Sequence, residues 1–178
     1  MMVPLTALRA VALDVDGVLT DGTLYYGARG EIMKAFSARD GMGISLARLG
    51  GLQPVIITGR TSTMVAKRAA DLKIKYVFQG KENKWQTARD VCRTLQIDIQ
   101  ELAYMGDDWN DLQVLRNCGF SGAPADACQE VRQAVQWVSS YKGGQGAVRE
   151  WIEYILRAQG KWQDVVNAYD TSVSEICQ

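Results

Sequence analysis

The chain has 178 residues, 47% of them hydrophobic, enough for one compact domain with a sizeable core and too few for two full ones. Twenty basic residues balance twenty acidic ones, so no net field favours nucleic acid or an anionic membrane surface as partner. Histidine is absent, which removes Ser-His and Cys-His nucleophiles, the common zinc sites and the usual general base at neutral pH. Catalysis in this chain must run on carboxylates, lysine, arginine, hydroxyls and metal.

No apolar run reaches the roughly 18 residues of a membrane span. Residues 1–9 lack the basic stretch and apolar core of a signal peptide, so the cytoplasm is the expected compartment. Cys92, Cys118, Cys128 and Cys177 have the spacing of no zinc or redox motif, and the first three read as small spare thiols.

In chain order, residues 9–15 (RAVALDV) read as a buried first strand, and residues 23–37 as two short segments flanking Gly27-Ala28-Arg29-Gly30, a hairpin signal. Residues 40–49 read as a helix and 53–58 (QPVIIT) as a second buried strand. A helix over 61–72 carries Val65, Ala69 and Leu72 on one face. A short strand is expected over 74–78, a helix over 82–95, a strand over 102–106 and a helix over 111–117. Residues 119–122 and 137–139 read as edge strands, and 147–159 as a closing helix. Beyond Gly160 the periodicity is weak and the chain reads as a tail. Apolar strands alternating with helices predict a parallel α/β sheet.

The polar residues fall at the ends of these strands. Asp14, Thr58 and Asp107 each close a strand, and in open α/β sheets ligands bind outside the carboxyl ends of the strands. Asp14 and Asp16, two residues apart in Asp14-Val15-Asp16-Gly17, repel unless a cation joins them, and such hard oxygen donors suit Mg²⁺. Thr58-Gly59-Arg60 offers a hydroxyl, amides and a guanidinium to an anion. Lys84 opposes the dipole at a helix start, which favours an anionic partner. Asp107, Asp108 and Asp111 are three carboxylates within five residues after a strand, again an invitation to a cation. Taken singly, each has a plain reading: a solvated acidic turn, a turn with a solvated arginine, a solvated lysine, a helix N-cap cluster. In this order, each at a strand end or helix start, they form a strong combination.

That order resembles the four motifs of the haloacid dehalogenase-like phosphatases. The resemblance implies a Rossmann-like α/β/α sandwich with a parallel central sheet and a hairpin after the first strand. It implies Asp14 as nucleophile and Asp16 as general acid and base. Thr58 and Lys84 would hold the phosphoryl oxygens, and Mg²⁺ would sit on Asp14, Asp107 and the main-chain carbonyl of Asp16. Asp108 and Asp111 would orient Lys84 or a metal-bound water.

The stretch 35–43 (AFSARDGMG), Gln79-Gly80 and residues 143–150 (GGQGAVRE) are further similar to the branch without a large cap domain, the 3-deoxy-D-manno-octulosonate 8-phosphate phosphatases of lipopolysaccharide sugar synthesis. That likeness covers residues 9–162; it implies residues 1–162 as the phosphatase domain, with the hairpin at about 23–37, and 163–178 as a C-terminal tail. It implies substrate contacts at Ser37, Ala38, Arg39, Asp40, Gly41, Gly59, Arg60 and Arg68. It also implies a homotetramer in which neighbouring subunits complete each site, for which the hairpin around Tyr25-Tyr26 offers an aromatic surface. Gln145, Ser45, Cys128 and Trp109 depart from the branch's usual residues and bear on substrate choice. Two alternatives stand beside it: a nonulosonate 9-phosphate phosphatase, and a non-catalytic oligomerisation or regulatory module of a sugar-acid cytidylyltransferase system.

Overall fold

The computed structural model of the chain describes residues 4–176; Cys177 lies outside them. Strand β1 (Ala10–Leu13) is buried along its whole length and pairs in parallel with both β4 (Gln53–Ile57) and β6 (Leu102–Met105). A hairpin of β2 (Tyr25–Gly27) and β3 (Gly30–Met33) stands apart from this sheet. Helix α1 (Ala38–Leu49) precedes β4; α2 (Thr63–Asp71) leads to β5 (Tyr76–Phe78), and α3 (Lys84–Leu95) to β6. A short 3₁₀ turn, Trp109–Asp111, then runs into α4 (Leu112–Leu115), followed by β7 (Phe120–Ala123), α5 (Gln129–Ala134) and β8 (Trp137–Val138). Helices α6 (Ala147–Ala158) and α7 (Trp162–Ile176) close the fold.

The sheet order is β5-β4-β1-β6-β7-β8, all parallel, the doubly wound order in which the chain reverses direction beside the first strand. Strand pleating sorts the core into two layers. Val11, Leu13, Ile56, Ala103 and Met105 face the layer of α1, α2, α6 and α7, where Ile44, Val65, Trp151, Ile155 and Val165 pack. Ala10, Ala12, Val55, Ile57, Leu102 and Tyr104 face α3, α4 and α5, against Val91, Leu115 and Val131. Strands covered on both faces read as unbroken apolar runs, which is why β1, β4 and β6 stood out in the sequence.

Three readings need correction. Strand β7 is not an edge: it is wholly buried between β6 and β8, and only β8 lies at the border. Gly and Ser dilute its apolar signal. Helix α5 was missed, being six residues long with too few turns to show a period. The stretch after Gly160 is helical, and Val165, 2% exposed, joins the core. Between β1 and β4 the described residues hold only the hairpin and α1, so the sheet carries no inserted cap domain. No described helix is long and apolar enough to cross a membrane.

Candidate active site

The doubly wound order brings the ends of β1 and β6 side by side, with Leu13 opposite Met105. The residues that follow, Asp14 and Asp107, therefore converge. Carboxylate oxygens of Asp14, Asp107 and Asp111 all come within 4.8 Å of one another. Asp14 and Asp107 border a cavity of ≈ 230 Å³ that is also lined by Asp16, Gly22, Thr58, Gly59, Arg60, Lys84, Asp108 and Asn110. A larger hollow of ≈ 580 Å³ lies at the amino ends of β4 and β5 and has no carboxylate among its described lining residues. The chemistry belongs to the smaller one.

Lys84 is the counter-charge of the cluster. It is 2% exposed, and its Nζ lies 2.8 Å from Asp14 Oδ2 and 2.7 Å from Asp111 Oδ1. Burial alone would lower the ammonium's pKa; Asp14 and Asp111 outweigh burial, and the net shift is upward. Asp111 is fully engaged. Its Oδ1 also accepts from Tyr104 Oη at 2.6 Å, and its Oδ2 accepts the main-chain N–H groups of Asp107 (3.2 Å) and Asp108 (3.4 Å). That network fixes the turn after β6, and Asp108 adds a side-chain cap to Trp109 N at 2.8 Å. Gly17, at φ +86°, lies so close to this turn that a Cβ there would stand 2.0 Å from Asp107 Oδ2.

Two oxygens remain without partners: Asp14 Oδ1 and Asp107 Oδ1 are both buried with no hydrogen bond. Buried unpaired carboxylate oxygens are costly. The group that would satisfy both is a hard divalent cation, and an all-oxygen donor set suits Mg²⁺. The residues present thus fit the metal, with Asp14 and Asp107 as its carboxylate donors and Asp111 committed to Lys84, Tyr104 and the backbone.

Without the cation, burial pushes the Asp14 carboxyl up to about 7, with Asp111 adding to the rise and Lys84 opposing it. Burial, then Asp14 and Asp111, pushes Asp107 up to about 8. Both folded values lie above the unfolded 3.8, so the stability these groups contribute is full below that value and is lost as pH rises through about 7 and 8. Metal-free protein is therefore expected to melt roughly 10 °C lower at about pH 8 than at about pH 5. Added Mg²⁺ should recover more of the melting temperature at the higher pH. Calorimetry in EDTA and in Mg²⁺ checks both; a Mg²⁺ gain that does not grow with pH would contradict this account of the carboxylates.

Asp16 lines the same cavity but is not one of the three clustered carboxylates. Its carboxylate pairs with Lys34 of the segment after β3, and Arg60 Nε stands 3.7 Å from its Oδ2. Lys34 also holds Glu31 at 2.9 Å. Arg60 donates to the Tyr26 hydroxyl, with its guanidinium 5.6 Å from the ring centroid. The hairpin thus lies against the mouth of its own chain's cavity. Tyr104 and Lys34 escaped the sequence reading. Tyr104 looked like one more apolar residue of a strand, and nothing near Lys34 in sequence announces Asp16.

The expected substrate segment is not in this cavity. Ser37, Asp40, Gly41 and Arg68 line a separate void of ≈ 10 Å³. Arg39 borders another hollow with Gln145 and Arg149, and Ala38 is exposed on the first turn of α1. Of the predicted substrate contacts, only Gly59 and Arg60 line the carboxylate cavity.

A parallel sheet of this order, with strand-end carboxylates closing on a buried lysine, is the frame of a haloacid dehalogenase-like hydrolase, and the family of that description matches residues 76–152. The chain is 44% identical over 161 residues to the 3-deoxy-D-manno-octulosonate 8-phosphate phosphatase KdsC of Haemophilus influenzae, across 90% of this chain and 89% of that protein. Identity to the Escherichia coli K12 enzyme of the same name is 43% over 154 residues, 86% of this chain and 82% of that one. The solved Moraxella catarrhalis phosphatase, in complex with magnesium, phosphate and KDO, superposes with a TM-score of 0.89 at 35% identity, covering 93% of this chain and 95% of that one. The cobalt-bound Haemophilus influenzae structure gives 0.87 at 43% identity, covering 90% and 94%. The chain belongs to the 3-deoxy-D-manno-octulosonate 8-phosphate phosphatase family, and so to the phosphoric monoester hydrolases.

Proposed function

We propose that this chain hydrolyses 3-deoxy-D-manno-octulosonate 8-phosphate to 3-deoxy-D-manno-octulosonate and phosphate, in the cytoplasm, as a step of lipopolysaccharide sugar synthesis. The observation that carries the reading is Asp14: a buried carboxylate with one oxygen on Lys84 and the other unpartnered beside Asp107. Asp14 attacks phosphorus and forms an aspartyl-phosphate while Asp16 protonates the departing sugar oxygen. Asp16 then takes a proton from the water that hydrolyses this intermediate. The Thr58 hydroxyl and the Lys84 ammonium hold the phosphoryl oxygens, and Asp111 keeps Lys84 aimed. Mg²⁺, held by Asp14, Asp107 and the main-chain carbonyl of Asp16, neutralises the repulsion between carboxylate and phosphate. Arg60, half-exposed at the cavity mouth, suits the sugar-acid carboxylate, which a guanidinium grips bidentately.

Phosphate release from a panel of sugar-acid phosphates tests the assignment. The eight-carbon substrate should be preferred and EDTA should stop the reaction. Preference for nine-carbon substrates would keep the chemistry and move the substrate. No hydrolysis at all despite metal binding would favour a regulatory module.

The proposal includes a homotetramer whose neighbouring hairpins close each site. Leu24, Tyr26, Ile32 and Met33 on or beside the hairpin are 42%, 58%, 64% and 49% exposed, an apolar surface that a second copy would cover. Sedimentation velocity at micromolar concentration should show a single species of about four chains; a clean monomer would remove the shared-site picture.

A further inference from the structure

Asp40 is a carboxylate in the first turn of α1, yet it is 1% exposed. Its partners lie on the far side of the chain. Oδ2 accepts the main-chain N–H of Gly146 at 3.1 Å, and Oδ1 accepts that of Arg149 at 2.9 Å, across sequence separations of 106 and 109 residues. These two amides belong to the N-terminus of α6. Gly146 is its N-cap and has no side chain with which to cap. A helix start leaves N–H groups unsatisfied and favours a nearby anion. Asp40 supplies both the acceptor and the charge from another helix. Burial pushes its carboxyl upward while the Arg149 and Gly146 amides oppose the rise.

What precedes α6 gives this cap a consequence at the active site. Gly144 N donates to Val18 O at 2.9 Å. Gly143 lies so close to the loop after β1 that a Cβ there would stand 1.8 Å from Gly17 O. That loop carries Asp14 and Asp16, and Gly17 itself abuts Asp107. A continuous line of contact thus runs from Asp40, through residues 143–146, to residues 14–20. Asp126 anchors the same stretch from its other side, accepting Gly143 N at 2.9 Å.

We infer that Asp40 is a positioning residue: by capping α6 from α1 it presses the 143–146 loop onto the 14–20 loop and so sets the spacing of the metal-binding carboxylates. Both oxygens of its carboxylate are taken by the Gly146 and Arg149 amides. This inference rests on reading the Asp14 cavity as the phosphatase's metal site. Outer groups that orient metal ligands influence affinity without contacting the ion.

Asp40→Asn keeps the size of the side chain and turns one acceptor into a donor that faces an N–H. Asp126→Ala, at an exposed side chain, loosens the same loop without touching α1 and serves if the first variant folds poorly. Mg²⁺ affinity is read by isothermal titration calorimetry on folded protein, beside kinetics with p-nitrophenyl phosphate, which lacks the sugar acid. The dissociation constant for Mg²⁺ should rise about 5-fold in Asp40→Asn and by a smaller factor in Asp126→Ala. Turnover of the aryl phosphate at low Mg²⁺ should fall in step and return with excess Mg²⁺. An unchanged Mg²⁺ affinity overturns the inference in either of two ways. If only KM for the sugar-acid phosphate rises, Asp40 is a substrate contact; if only the melting temperature falls, the cap serves stability alone. Wild-type protein that binds no Mg²⁺ would remove the metal-site reading itself, and this inference with it.

Discussion

Replacing Asp14 by Asn is expected to lower kcat by at least about 10⁴-fold while leaving the fold intact, because it removes the attacking group and spares its shape. The amide oxygen retains an acceptor for Lys84, which keeps its second partner in Asp111 at 2.7 Å. The effect on stability runs against the usual expectation for a buried substitution. Folding disfavours the ionised Asp14, whose pKa is pushed up to about 7 chiefly by burial. Asn carries no charge to desolvate, so the metal-free variant should melt at or above the wild-type temperature at about pH 8. Steady-state kinetics and calorimetry on one preparation check both arms. Activity within tenfold of wild type would exclude Asp14 as nucleophile, and a large drop in melting temperature would show that its carboxylate supports the fold.

How much of this was legible in the sequence divides by range. The strand ends carrying Asp14, Thr58 and Asp107 were readable because a buried parallel strand is an unbroken apolar run that stops where polar chemistry begins. Lys84 alone reads as a solvated lysine. Its burial is decided by carboxylates 70 positions before and 27 positions after it, which only the sheet order brings together. Tyr104 and Lys34 were missed for the same reason: their partners Asp111 and Asp16 are set by the turn after β6 and by the path of the hairpin. Asp40 shows the same limit: the family resemblance implies a substrate contact there, and nothing in the sequence announces that its carboxylate accepts from the amides of α6, more than 100 positions away. Helix α7 was read as a tail because its helical face is mostly polar, with Val165 as its buried anchor.

Lys84→Met tests the electrostatic core of the site. Methionine fills nearly the same volume, so the change removes a charge and leaves little void. The described cation that touches both Asp14 and Asp111 is then gone, and three carboxylates share a buried space. Breaking a buried ion pair by removing one partner typically costs about 3–5 kcal/mol. The catalytic loss should be about 10³-fold in kcat, since a charged donor to the phosphoryl oxygens disappears. The stability loss should carry a pH signature. Lys84 opposes the upward shift of both Asp14 and Asp107, so without it their folded pKa values rise further. Each then contributes stability only at lower pH, where it is protonated, and loses it as pH climbs. The melting-temperature gap between variant and wild type in EDTA should therefore be small at about pH 5 and widen towards about pH 8. Mg²⁺ should narrow it, since a divalent cation replaces part of the missing charge at Asp14 and Asp107 but cannot reach the oxygens of Asp111 that Tyr104 and the backbone hold. A gap independent of pH would mean that lost packing, and not unbalanced charge, is what Lys84 contributes to the fold.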